Sequence, residues 1–409
     1  MRLLERAILT LIATWFVTLT AVAVHVGSAW FPAIALFSPL LVLLCWNPTW
    51  RDVGWSLALG AIAYGLYNLH GGTWGPSLGA HVVGWLAFAG AGCLLRLWLA
   101  WAWTVPAERH WLTQRLRCAA FMPSMSVTAG LLLGLAARVT PLTFDRLLMA
   151  SDLKFGAAPA WEVARWLVYH PICRAICDFV YNTLPLAISL CLVIDQRGKR
   201  TGISRVAELQ YVAIATAISG FILFQFCPAA GPYVAFTAQF PAAVPQVLDI
   251  SLSWFPFAPR NSMPSLHFAG VLILLWNLRG RGKWLTCGLF AFSAITAVST
   301  LSTGQHYFVD LIASPALVVA NQALCSRINH PARWIVFGAA AVLTVGWIAA
   351  IRSDLFLAVP GPAAIWLLAG FVALMPLALA AILERQLGAA IRDKSTASRL
   401  PALRPLTES

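Results

Sequence analysis

Ser302-Thr303-Gly304-Gln305-His306-Tyr307-Phe308-Val309-Asp310 runs without a break into the mainly apolar stretch 311–324. A histidine and a carboxylate four residues apart thus stand at the mouth of an apolar helix. Positions i and i+4 share a helix face, so the two side chains can meet. Ionisable groups are costly inside a membrane, which makes any kept at such an opening a candidate site.

Composition shows that a membrane is the right setting. The 409 residues are 60% hydrophobic and 11% charged, with a mean hydropathy of +0.77. Soluble domains carry roughly 45–50% apolar and about 25% charged residues. A multi-domain cytosolic enzyme, a disordered chain and a disulfide scaffold are therefore excluded. The expected fold is all-α, a polytopic transmembrane helix bundle, and the 19 tryptophans suit its two interfaces. The net charge of +13 does not point to nucleic acid, because the basic residues are scattered singly and form no recognition motif. The nine cysteines lie mostly within apolar runs without a CxxC pair, and carry no functional signal.

A membrane-crossing helix needs about 20 mainly apolar residues. Twelve windows approach this: 7–27, 30–47, 53–69, 78–97, 119–137, 171–194, 208–228, 264–278, 284–301, 307–324, 334–351 and 361–384. The first follows Arg2 and Arg6 but is longer than a signal-peptide core, so it reads as an uncleaved anchor, with cleavage near Ala29 as the alternative. Basic residues collect in alternate connectors: Arg51; Arg109, Arg115 and Arg117; Arg197 to Arg205; Arg279 to Lys283; Arg327 and Arg333; and the chain after Arg385. The opposite side holds only Arg138, Arg146, Lys154, Arg165, Arg174, Arg260 and Arg352. This asymmetry predicts both termini in the cytoplasm of a multi-pass plasma (inner) membrane protein. The expected organisation is four N-terminal helices over 1–118, a six-helix core over 119–330, two helices over 331–385 and a basic, disordered tail over 386–409. Two outer connectors are long. Residues 138–170 read as lying on the membrane surface, and the proline-rich 229–262 as an interfacial connector or a lid.

The second histidine of interest, His267, opens the eighth window in Pro264-Ser265-Leu266-His267, on the same predicted face as His306 and Asp310. The carboxylate would fix the imidazole tautomer and make the other ring nitrogen a better nucleophile. A second histidine, the Ser265 hydroxyl and Arg260 complete a plausible phosphate site of nucleophile, orienter, acid and anion clamp. Singly, each has a plainer reading. A histidine at a helix end is ordinarily interfacial, as His25, His70, His81, His110, His170 and His330 read, and Ser265 can simply cap a helix. Their convergence on one membrane face carries the argument.

Pro-Ser-x-His followed by His-x-x-x-Asp, each at a helix opening, resembles the type-2 phosphatidic acid phosphatase superfamily over roughly residues 119–324. Met263-Pro264-Ser265-Leu266-His267-Phe268-Ala269 and Thr303-Gly304-Gln305-His306-Tyr307 are most similar to its inositol phosphorylceramide synthase branch. The resemblance implies that His306 attacks phosphorus to form a phosphohistidine, that Asp310 orients it, that His267 protonates the leaving oxygen and that Ser265 holds a phosphate oxygen. It implies neither metal nor cofactor, and partners that are membrane lipids. Three positions depart from the pattern. The superfamily's third motif starts Ser-Arg where this chain has Ser299-Thr300. Its first motif carries Lys and Arg-Pro where this chain has Cys227-Pro228-Ala229-Ala230-Gly231-Pro232-Tyr233. Gln305 replaces an Asn. With those cations absent, Arg260 is the expected substitute, with Arg174 and Arg165 behind it; alternatively the substrate phosphate is a diester carrying less charge.

The expected function is thus lipid phosphoryl transfer at the outer face, leaning to transfer of a phospho-head-group onto a lipid alcohol. Phosphatase activity is the alternative, as is a transporter or scaffold keeping the fold without turnover. A transporter should place its polar groups near mid-bilayer, not at helix openings.

Overall fold

The computed structural model describes residues 30–46, 48–72, 78–200, 206–247 and 249–399. Eleven of the twelve apolar windows fall there and all are helices; the window 7–27 lies outside the described residues. The first three are α1 (Trp30–Leu44), α2 (Trp50–Leu69) and α3 (Leu78–Trp103). Thr49 starts α2 with a capping box, its hydroxyl accepting from Asp52 N while Asp52 accepts from Thr49 N. Next come α4 (Arg109–Val139), which begins ten residues before its apolar window, then α5 (Asp145–Leu153), α6 (Pro159–Val168), α7 (Pro171–Arg200), α8 (Leu209–Phe226) and the single turn α9 (Pro232–Ala235). The C-terminal part holds α10 (Leu266–Leu278), α11 (Lys283–Ser302), α12 (Phe308–Leu324), α13 (Ala332–Arg352) and α14 (Gly361–Arg399).

Seven of the described helices are long and apolar enough to cross a membrane: α3, α4, α7, α8, α11, α13 and α14. The protein is accordingly a polytopic helical membrane bundle. The helix α2 is not among the seven; Arg51 and Asp52 open it and Asn68 closes it. At 13 and 17 residues, α10 and α12 are shorter apolar helices. They rise about 20 and about 26 Å, against a hydrocarbon layer of about 30 Å.

The two outer connectors differ from their sequence reading. Residues 138–170 are not a surface segment: α5 and α6 are folded into the protein, with Leu148, Met149 and Trp161 fully buried. Charge and tryptophan content mimic an interfacial helix because each short helix mixes apolar residues with charged ones, Asp145, Arg146 and Asp152 in α5 and Glu162 and Arg165 in α6. Trp161 meets the Phe236 and Phe240 rings edge-on, with centroids 5.7 and 5.1 Å away, so 229–262 packs on the same elements. A two-residue antiparallel ladder joins the connectors, β1 (Leu142–Thr143) pairing with β2 (Ser253–Trp254). The tail also differs, since helix α14 continues to Arg399 through residues expected to be disordered. Gln386, Leu387, Ala389, Ala390 and Arg392 are good helix formers and extend a helix already nucleated.

Arg260 fastens the connectors. It is fully buried, and its guanidinium donates to four carbonyl oxygens: Nε to Thr140 (3.0 Å), Nη1 to Ala258 (2.6 Å), and Nη2 to Pro141 (3.0 Å) and Phe255 (2.5 Å). Arg260→Ala should therefore act on stability. Truncation leaves several buried carbonyls unmatched, at a cost of about 3 kcal/mol or more. The expected result is a melting temperature lowered by several degrees in detergent; an unchanged melt with a large loss of kcat would return Arg260 to substrate binding.

Candidate active site

Four segments meet in the interior: Pro228–Tyr233, Asn261–His267, Thr303–Asp310 and helix α5. Helix α10 starts where Ser265 takes the N-cap, its hydroxyl accepting from Phe268 N at 3.3 Å. Tyr307 is the N-cap of helix α12, and Asp310 reaches back to accept from Tyr307 N at 2.7 Å. The two openings are tied directly, Ser265 N donating to Asp310 O and the Ser314 hydroxyl to Ser265 O. This brings together residues far apart in the chain: the His267 and His306 rings lie 6.0 Å apart between centroids, inclined at 66°.

His306 and Asp310 do approach, Nδ1 standing 3.5 Å from Oδ2, and both side chains are fully buried. The shorter bond from Nδ1, however, goes to the backbone carbonyl of Ser262 at 2.7 Å. Ser262 links the pair, because its hydroxyl donates to Asp310 Oδ2 at 2.5 Å. A proton on Nδ1 leaves Nε2 with its lone pair, and among the described residues Nε2 has no hydrogen-bond partner. Burial holds the His306 imidazole down at about 4, so the ring is neutral at pH 7 and able to act as a nucleophile. If it does, the acid limb of kcat/KM should fall near pH 4, the pH below which the ring takes up a proton. A limb near the ordinary 6.5 would mean another group is being read.

Sequence reading missed several groups. Tyr181 of α7 stacks on His267, with centroids 4.4 Å apart and planes within 17°. Asp145 accepts from Ala230 N (3.0 Å), Gly231 N (2.9 Å) and the Tyr307 hydroxyl (2.9 Å). Asp152 accepts from Phe308 N (2.9 Å) and Val309 N (3.0 Å), two of the donors that a helix start leaves unmatched. Burial raises both carboxyls, Asp152 to about 8, against the pull of these N–H donors. Their spacing of seven puts them on one face of α5, a signal available in the sequence but overshadowed by the surface character of the connector.

The Cys227–Tyr233 stretch, which lacks the expected cations, does reach the site: Tyr233 N donates to Gly304 O at 2.8 Å. Gly231 has φ +90°, and a Cβ there would lie 2.5 Å from Gln305 O. The other expected cations point elsewhere. Arg260 is committed to carbonyls, and Arg174 stands exposed, 3.8 Å from Asp178. Arg165 is exposed; Arg352, an outer-side arginine not among those expected at the site, lies over the Phe144 and Phe226 rings. Ser265 is fully buried and caps α10. Ser299, at the third-motif position, donates to Cys177 O. No group of three or more metal-ligating side chains is assembled among the described residues.

Residues 146–324 match the family model of the PAP2 superfamily. The match spans both histidines, Asp152 and Asp310, and fits a membrane lipid phosphatase or phosphotransferase. No curated protein and no solved structure matches the chain.

Proposed function

We propose that this protein is a phosphoryl-transfer enzyme of the plasma (inner) membrane. Its substrate is a lipid phosphodiester, and its phospho-head-group passes to a lipid alcohol at the outer face. The observation that carries this reading is the buried His306 with Nδ1 pinned to Ser262 O and Nε2, beside His267, without a partner among the described residues. In the first step the Nε2 lone pair bonds to phosphorus, the bond from phosphorus to the leaving oxygen breaks, and His267 gives that oxygen its proton. In the second step an acceptor hydroxyl bonds to phosphorus, its proton passes to His267, and the phosphorus–His306 bond breaks. Asp310 holds the ring through Ser262 and stabilises the positive charge that develops on it. Ser265 is in reach of the same opening and would meet a phosphate oxygen only by sharing its cap hydroxyl.

Charge favours the diester. The described partners of His306 and Asp310 include no lysine or arginine, and Arg260 is committed to backbone carbonyls. A monoester dianion needs cationic stabilisation, whereas a diester monoanion needs less. The wording of the two motifs, similar to the inositol phosphorylceramide synthase branch, supports transfer over hydrolysis. The cytoplasmic bias of the basic connectors supports an outward-facing site with both termini inside.

The test is purified protein in nanodiscs given a panel of lipid phosphomonoesters and phosphodiesters, with and without a lipid alcohol. A new phospholipid formed only when the alcohol is present establishes the transferase. Inorganic phosphate released from a monoester would make the protein a phosphatase instead. Folded protein that converts nothing would overturn the enzymatic reading.

A further inference from the structure

Helix α5 has only nine residues, yet five catalytic-segment donors converge on it. Asp145 at its first position takes Ala230 N, Gly231 N and the Tyr307 hydroxyl; Asp152, two turns on, takes Phe308 N and Val309 N. Ala230 and Gly231 belong to the turn that passes over Gln305, Tyr307 follows His306 directly, and the second set belongs to the opening of the helix that carries Asp310. Both carboxylates are essentially inaccessible to solvent, as are Leu148 and Met149 on the same helix. A buried carboxylate is costly unless its lone pairs are matched, so these are expensive residues kept on an element too short to span the membrane. A helix is stiff over two turns, which fixes the separation of the two carboxylates and hence of the segments they grip.

We propose that Asp145 and Asp152 are positioning residues for the phosphoryl-transfer step: through α5 they set where His306 stands. The chain of contact is short. Asp145 holds the hydroxyl of Tyr307, the residue after His306, and the turn against the residue before it. Asp152 holds the next two backbone amides, those of the two residues just before the Asp310 that braces Ser262. Neither carboxylate has a described contact to His306 itself, so both act through backbone placement. This inference rests on His306 being the attacking group.

The experiment is Asp152→Asn and Asp145→Asn in the full chain, with Met149→Ala as a comparison, each normalised to folded protein by size exclusion and melting temperature. Asn has the shape of Asp but can match fewer N–H donors. The two Asn variants should lose at least about tenfold in kcat per folded molecule with KM within about threefold, since substrate binding is not their task. Amide hydrogen exchange over 303–310 should accelerate, and Asp152→Glu should recover part of the loss. Met149→Ala removes buried volume from the same helix, so it should lower the melting temperature and leave kcat per folded molecule near wild type. If the Asn variants match wild type in kcat and exchange, or merely follow Met149→Ala, the proposal is overturned. The hydrogen-exchange readout needs no substrate, so a wild-type protein without phosphoryl-transfer activity would sink the functional reading while the bracing of 303–310 is still tested separately.

Discussion

His306→Asn abolishes turnover, to below about one part in 10⁴ of the wild-type rate, in a protein that still folds. Asn is the better choice than Ala because its amide N–H can still donate to Ser262 O, the bond now made by His306 Nδ1 at 2.7 Å. Removing that donor outright would leave a buried carbonyl unmatched, at about 1–3 kcal/mol, and confuse stability with chemistry. What Asn lacks is a nitrogen lone pair where Nε2 stands. Two readings check the result: steady-state turnover, and acid-labile label on the protein after brief exposure to a phosphorus-labelled lipid. Retained turnover in this variant would remove the histidine from the attacking role. Asp310→Asn should be milder, about 10²-fold, because the shorter of the two bonds orienting the ring comes from a backbone carbonyl rather than from the carboxylate, which lies 3.5 Å away.

Gly231→Ala, a change of one methyl group, should cost more than most core truncations. The residue sits at φ +90°, which costs an L side chain about 1–2 kcal/mol. Its Cβ would fall 2.5 Å from Gln305 O and 2.8 Å from Gln305 C, both backbone atoms of the segment that carries His306. Backbone cannot rotate away as a side chain can, so the turn or the histidine segment must move. We expect kcat to fall at least tenfold and the melting temperature to drop together, because the same displacement breaks the Asp145 bonds to Ala230 N and Gly231 N. Gly338→Ala, in the interior of α13 with nothing within 4 Å of the added carbon, should leave both unchanged or raise stability slightly. Wild-type activity and melting in Gly231→Ala would show that the close approach to Gln305 is not maintained in the working protein.

The helices were legible because burial in lipid demands unbroken apolar length, and that is written in consecutive residues. The meeting of His267 and His306 was legible for a related reason: both are polar groups at openings that loop charge assigned to one side. What could not be read were contacts made by backbone. The carbonyl of Ser262 that fixes the His306 tautomer has no sequence signature at all. Asp145 and Asp152 sit in a stretch whose mixed polarity describes a surface, and only their long-range partners, 85 and 156 residues away, reveal them as interior groups. Arg260 was the right residue type in the right neighbourhood, but a buried guanidinium satisfies carbonyls as readily as phosphate oxygens, and composition does not separate the two.

The shortness of α10 and α12 has a consequence for product rather than rate. Helices of 13 and 17 residues are shorter than a full span, and His306, at the opening of the second, has no solvent-accessible surface. On the proposed route, a phosphoryl group on that ring is contested by two hydroxyl sources, bulk water and the alcohols dissolved in the bilayer. In open solution water wins by abundance. At a fully buried ring, abundance counts for less than solubility in apolar surroundings, which on the proposed route favours an amphiphilic alcohol over water.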